Sequence, residues 1–230
     1  MNNLLLDKSL DLVVTLIQGI VVALIVYFAV EKNAKKISAI QNQGKYGIKD
    51  FLNRGKLSKA ESKHLFHDAS MIRLCFANGY NFFNEYIREI EFALKNKAEV
   101  HVLLASPGSD FEKEINIIEK RLERGKNTVH DLEEVMMLLS KHFGEHPNFR
   151  IRHYNTLYRY TIILGTFENK HMQAWFNVFL PPKLAVDSKM FYAESNNEDD
   201  NIVSNFDDYF ETIWNDDSLS YEASLGKLSS

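Results

Sequence analysis

The stretch Glu99-Val100-His101-Val102-Leu103-Leu104-Ala105, followed directly by Ser106-Pro107-Gly108-Ser109-Asp110, carries the clearest structural signal in the chain. A short apolar run bounded by turn residues predicts a buried strand. Helical patterns lie on both sides of it: Tyr80 to Asn96 has apolar residues three and four apart, and a helix or helix pair is predicted from about 111 to 143. A strand between helices indicates an α/β domain.

The second half of the chain is dominated by strand-like segments. The other predicted elements are a helix near 59–68, a strand at 70–76, strands at 148–153, 158–167, 172–180 and 189–194, and an amphipathic helix at 199–215. Alternation of strands and helices followed by consecutive strands predicts a mixed β-sheet covered by helices. We expect a connector at 44–58, an α/β ligand-binding domain at 59–217 and a flexible tail at 218–230.

The N-terminal region contains a predicted transmembrane helix. Residues 12–30 form a run of nineteen without a charge, close to the roughly 20 that cross a bilayer. Lys32, Lys35 and Lys36 follow the run, so the positive-inside rule places the C-terminal domain in the cytoplasm. We therefore predict a single-pass inner-membrane protein, with helix and stalk at 1–43. A cleaved signal peptide and a buried core helix are the alternatives.

One face of the predicted membrane helix carries its few small or polar residues. Thr15 and Gly19 are four apart, and Gln18 lies beside them. Such residues allow close approach and hydrogen bonding between helices in lipid. This face indicates either a simple anchor that tolerates one Gln or a helix that self-associates and could line a pore, and we expect a homo-oligomer in contact with the lipid bilayer.

Composition excludes several functional classes. A net charge of −4 argues against a dedicated DNA or RNA binder, since such proteins carry a clustered excess of Lys and Arg. The one cysteine, Cys75, lies in an apolar run and cannot form an intramolecular disulfide. The eight histidines form no metal-binding motif. We expect neither a metal nor a cofactor.

The loop at 106–110 is the best single candidate for a binding site. A loop of small residues between a buried strand and a helix places backbone N–H groups and the hydroxyls of Ser106 and Ser109 at a helix N-terminus, which suits phosphate. The alternative is structural, because Ser109 or Asp110 could cap the helix while Pro107 and Gly108 make the turn.

A second candidate lies at 153–160, at the entry to a predicted strand. Arg159 could pair with a phosphate and tyrosines could stack on bases, or the aromatic residues could simply pack. Strand alternation places Arg159 on the opposite face from Tyr158 and Tyr160. The predicted ligand-binding residues are Ser106, Ser109, His153, Tyr158, Arg159, Tyr160 and Asn177.

The order of these elements resembles the phospholipase D-like fold over about 69–215. The resemblance is carried by Ile72-Arg73-Leu74, Asn78-Gly79, Val100 to Leu104, the Ser-Pro loop, and 149–154 with 157–160. Members carry HxKxxxxD, in which the histidine attacks phosphorus and the lysine holds the phosphate. Here the equivalent residues are Tyr158, Tyr160 and Gly165. The resemblance therefore implies a degenerate domain that is not an enzyme and keeps at most a phosphate-shaped cleft.

A membrane helix joined to a ligand-sensing domain also resembles the membrane effectors of bacterial antiphage systems that respond to nucleotide second messengers, of the CBASS or Panoptes type. This resemblance implies a sensor-effector in which a cyclic nucleotide controls membrane disruption. The first alternative is a membrane-tethered phosphodiesterase, phospholipase or nuclease with His153 as its base. The second is an anchored scaffold that recruits a protein.

Overall fold

The computed structural model describes residues 47–52, 56–77, 79–110, 113, 128–155, 160–178, 189–195 and 201–223. The predicted membrane helix and stalk lie outside these residues, as do Tyr158 and Arg159. Within the described ranges, no helix has the length and apolar character needed to cross a membrane. The chain divides after Gly44, and all of the described residues belong to the second unit, 45–230.

Eight strands form one mixed sheet. The elements in chain order are β1 (Ile48–Leu52), α1 (Lys59–Asp68), β2 (Met71–Phe76), α2 (Tyr80–Lys95), β3 (Glu99–Ala105), α3 (Thr128–Phe143), β4 (Phe149–Tyr154), β5 (Tyr160–Thr166), β6 (Met172–Val178), β7 (Met190–Glu194), α4 (Ile202–Asn215) and β8 (Ser220–Glu222). The strand order is β1-β7-β6-β5-β2-β3-β4-β8. Strands β2, β3 and β4 run parallel, and all other neighbours are antiparallel. The predicted mixed sheet with helices is confirmed.

The strand β3 lies between its two parallel partners and is buried on both faces. Val102 and Leu104 belong to the core formed with α1, α2 and α3, whereas Leu103 and Ala105 belong to a second core formed with α4. Helices on both faces exclude water from both rows of side chains. This burial explains why the sequence of β3 is nearly continuously apolar rather than alternating.

Local signals begin the first two helices at the predicted places. At α1, the Glu61 N–H donates to Ser58 Oγ (3.2 Å) and the Ser58 N–H donates to Glu61 Oε2 (2.6 Å), which satisfies two free donors of the first turn. At α2, Gly79 adopts φ 71°. A Cβ there would lie 2.7 Å from the Phe83 ring, so only glycine fits this turn.

Gly165 allows α1 to pack closely on the sheet. It lies in β5 opposite Ile72 of β2. A Cβ on Gly165 would lie 2.6 Å from Leu65 Cδ1, and Leu65 is fully buried. The position that the phospholipase D resemblance assigns to the motif aspartate is therefore filled by a leucine from α1.

On the opposite face, Arg73 of β2 connects α4 to the sheet. Its Nε donates to Glu211 Oε1 (2.8 Å), and its Nη1 donates to Thr166 Oγ1 (3.1 Å). Nη1 also lies 3.1 Å from Asp207 Oδ1, an ion contact without hydrogen-bond alignment. Burial raises the pKa of Asp207, and the charge of Arg73 opposes that shift. Beside them, the His101 ring of β3 stacks on Trp214 of α4 at 4.4 Å.

Two edge strands lie where the sequence predicts irregular structure. Strand β1 falls in the predicted connector, and β8 falls in the predicted flexible tail. Strand β1 has a register irregularity between Ile48 and Asp50, and β8 has three residues. Both segments are fixed by backbone pairing with a single neighbour, so they show no long apolar alternation that a sequence pattern could reveal. The helix α3 begins at Thr128.

Replacing Arg73 with Met should lower the free energy of unfolding by about 2 kcal/mol, because it leaves two carboxylates under α4 without their cation. This loss is smaller than that expected for a fully buried ion pair, because the Glu211 side chain is 37% exposed and solvent screens its charge. Urea denaturation measures this change. The control is Arg88→Met on the exposed side of α2, which should change stability by less than about 0.5 kcal/mol. Equal effects of the two substitutions would contradict the role of Arg73.

Candidate functional site

The strand directions bring most of the predicted site residues to one end of the sheet. Strands β2, β3 and β4 are parallel, so their carboxyl ends lie at one end of the sheet. Strand β5 is antiparallel to β2 and therefore starts at that end, and β6 is antiparallel to β5 and therefore finishes there. Ser106, His153, Tyr160 and Asn177 all lie at or near this end. Ligands of open α/β sheets bind outside the carboxyl ends of the strands.

Ser106 is fixed by contacts from two neighbouring strands. Its N–H donates to the Tyr154 carbonyl of β4 (2.9 Å), and its Oγ lies 2.5 Å from the Tyr221 phenol oxygen of β8. The side chain is buried. After it, Gly108 adopts φ 74°, and nothing lies within 4 Å of the place where its Cβ would be. The loop is therefore open to solvent at Gly108 and closed at Ser106.

A helical turn follows this loop, as predicted. The Ser109 N–H donates to the Ser106 carbonyl (3.2 Å), and the Lys113 N–H donates to the Ser109 carbonyl (3.1 Å). The Asp110 carboxylate is exposed and pairs with Lys113 Nζ at 2.9 Å.

His153 is buried, and its ring contacts a backbone carbonyl of β3. Its Nδ1 lies 3.1 Å from the Ala105 carbonyl oxygen, so Nδ1 must carry the hydrogen, and the lone pair is on Nε2. Burial lowers the pKa of His153, and hydrogen bonds to the carbonyls of Ala105 and Leu104 partly oppose that shift. The ring is therefore a hydrogen-bond acceptor at neutral pH and adds no positive charge.

Tyr221 completes the group, although sequence reasoning missed it. It lies opposite His153 in the β4–β8 register, with ring centroids 5.5 Å apart. We call Ser106, His153 and Tyr221 the Ser106 cluster. Tyr221 falls within the segment predicted to be a flexible tail, and a single aromatic residue between Ser220 and Glu222 is too weak a signal to predict a strand.

Asn177, another predicted residue, is not part of this cluster. Asn177 is buried on β6, opposite Thr161 of β5. Strands β5 and β2 separate β6 from β3, which puts the axes of β6 and β3 about 14 Å apart at the usual strand spacing. Tyr160 is the first residue of β5, but its side chain, like Tyr158 and Arg159, lies outside what the structure describes. His64 and His67 are exposed on α1.

The Ser106 cluster offers neutral hydrogen-bonding groups rather than charge. The neighbouring cation, Arg152, is engaged by the first residue of β8 and by the turn before it: its Nε donates to Ser220 Oγ (2.9 Å), and its Nη2 lies 2.5 Å from Asp217 Oδ1. In the described part of the chain, no group of three or more His, Cys, Asp or Glu side chains could hold a metal ion. The cluster can bind an oxygen-rich ligand through the Ser106 hydroxyl, or accept a proton at His153 Nε2.

Comparison with known proteins finds similarity at the level of solved structures. No family model matches the sequence, and no curated protein matches it. One similar structure is TrmBL2, an archaeal chromatin protein that shows a novel mode of DNA binding, with a TM-score of 0.41, 12% identity, and coverage of 91% of this chain and 67% of that chain. Another is Nuc from Salmonella typhimurium, a phospholipase D family member, with a TM-score of 0.40, 10% identity, and coverage of 70% of this chain and 87% of that chain. Membership of the phospholipase D-like family stays a prediction.

In His153→Gln, the free energy of unfolding should decrease less on acidification than it does in the natural protein. The folded state holds His153 with a pKa below its usual 6.5, so as pH falls the unfolded state takes up this proton first and the free energy of unfolding decreases. This loss is at most about 1.4 kcal/mol per pH unit. Urea denaturation at about pH 7.5 and about pH 5.5 should show a smaller difference for His153→Gln than for the natural protein. Ser70→Ala, which removes no titratable group, should leave the difference unaltered; an unaltered difference in His153→Gln would contradict the assignment.

Proposed function

We propose that this chain is a membrane-anchored sensor-effector of bacterial antiviral defence. Its α/β domain, extended by β8 beyond the predicted limit at 217, binds a nucleotide second messenger, or a related phosphorylated ligand, at the Ser106 cluster. Ligand binding controls membrane disruption by the helix predicted at 12–30. The observation that carries the proposal is the position of the Ser106 hydroxyl, which lies at the carboxyl ends of parallel strands and is linked through Tyr221 to His153.

Chemistry at the cluster favours an anion with several oxygens. A serine hydroxyl and the backbone N–H groups of a strand-to-helix loop are donors that suit phosphate. Because the folded state favours neutral His153, the positive charge that a phosphate needs would come from Arg159, which the sequence places shortly before β5.

The membrane part of the proposal is supported by sequence. An uncharged run of nineteen residues with Thr15, Gln18 and Gly19 close together fits a helix that associates with copies of itself in lipid. Ligand can control that association only if its affinity differs between the associated and separate states.

His153 also supports an alternative function, a membrane-tethered hydrolase. Its hydrogen is fixed on Nδ1 and its pKa is lowered, which leaves Nε2 able to act as a general base. However, the hydrogen bond of the Ser106 hydroxyl is to Tyr221, so the geometry favours binding over nucleophilic attack. In His153→Ala a hydrolase should lose turnover, whereas a sensor should lose at most affinity.

Adding a matching nucleotide to the detergent-solubilised full-length protein should raise its thermal stability. A ligand at about 100 times its dissociation constant adds roughly 2.7 kcal/mol. The screen uses cyclic and linear nucleotides together with inorganic pyrophosphate. Ser106→Ala should lose the shift, whereas Ser70→Ala, which changes a serine before β2 at the opposite end of the sheet, should keep it. Absence of any shift across the panel would favour the scaffold alternative.

The same ligand should change the leakage of a dye from vesicles that contain the full-length protein, and Ser106→Ala should remove its effect. Leakage that never depends on a ligand identified by the stability screen would contradict control of membrane disruption while leaving the binding site in place.

A further inference from the structure

Tyr221 occupies the place where a ligand oxygen would meet Ser106. Its phenol oxygen lies 2.5 Å from Ser106 Oγ, and its ring lies 5.5 Å from the His153 ring. Ser106 is 4% exposed, whereas Tyr221 is 42% exposed. Tyr221 is thus the outer member of the cluster, and its phenol engages the hydroxyl that a ligand from solvent would need.

The strand that carries Tyr221 is held firmly at its start and lightly after it. Ser220 is fully buried, donates its hydroxyl to the Ile213 carbonyl at 2.5 Å and receives the Arg152 Nε hydrogen bond at 2.9 Å. Beyond it, Tyr221 and Glu222 are exposed, and the Ala223 N–H donates to the Ile151 carbonyl at 3.1 Å. Among the described strands, β8 has no neighbour on its outer side. It can therefore separate from β4 beyond Ser220 while α4 stays in place.

We propose that Tyr221 is an intramolecular latch on the Ser106 site: a phosphorylated ligand binds by displacing the Tyr221 hydroxyl, and this displacement releases β8 from β4. The latch rests on the function proposed above. It adds one step, in which ligand binding at the Ser106 site changes the pairing of the edge strand β8. Because ligand and phenol compete for one hydroxyl, the latched state lowers the apparent affinity, and removing the phenol oxygen raises it.

The test compares Tyr221→Phe with Tyr209→Phe in the full-length protein. Both tyrosines are 42% exposed, and Tyr209 lies on α4. Inorganic pyrophosphate and any nucleotide that stabilises the natural protein are the probes, and isothermal titration measures their binding. Loss of one neutral hydrogen bond from the competing state should tighten binding by roughly three- to tenfold in Tyr221→Phe. Tyr209→Phe should bind as the natural protein does.

Hydrogen exchange supplies the second measurement. In the ligand-free protein, Tyr221→Phe should speed exchange of the Ala223 amide, whereas Tyr209→Phe should not. Saturating ligand should speed the same amide in the natural protein, because bound ligand replaces the phenol.

The outcomes separate the latch from the function on which it rests. Two results would overturn the latch: weaker ligand binding by Tyr221→Phe, or slower hydrogen exchange of the Ala223 amide when ligand is added. Either would show that Tyr221 helps to bind the ligand. No binding by the natural protein or by Tyr221→Phe would overturn the site itself, and the latch with it. Tighter binding by Tyr221→Phe together with faster exchange on ligand addition would establish the latch.

Discussion

The parallel pairing of β3 with β2 on one side and β4 on the other is the constraint on which the rest of the domain depends. Its register places Val102 and Leu104 in one core and Leu103 and Ala105 in the other. A shift of one residue would turn His101 toward the core of α1, α2 and α3 and would move an apolar side chain toward Arg73. Two helical layers therefore hold this register from opposite sides.

The same pairing assembles the Ser106 cluster from parts that are far apart in sequence. Ser106 follows β3, His153 lies in β4, and Tyr221 reaches them only because β8 pairs with β4. The cluster is built on hydrogen bonds and neutral groups, while the cations of the neighbouring strands, Arg73 and Arg152, are engaged by carboxylates. Selectivity at such a site comes from the geometry of donors and acceptors more than from long-range attraction.

Local signals in the sequence predict much of this fold. The bounds of β3 and α1 follow from an apolar run between turn residues and from the Ser58 capping box. The strand directions place Ser106 and Asn177 toward one end of the sheet, but local signals contain no information on strand order, so the two strands between β3 and β6 could not be foreseen. Tyr221 escaped prediction because a three-residue edge strand owes its position to backbone hydrogen bonds rather than to a side-chain pattern.

The contact between Leu65 and Gly165 has an evolutionary consequence. Position 165 has no room for a side chain while Leu65 stays in place, since a Cβ would lie 2.6 Å from Leu65 Cδ1. A carboxylate introduced there alone would bury a charge against a leucine, which is destabilising by itself. A smaller residue introduced at position 65 alone would leave a cavity beside the glycine. Each single step is unfavourable, so the two positions can change only together.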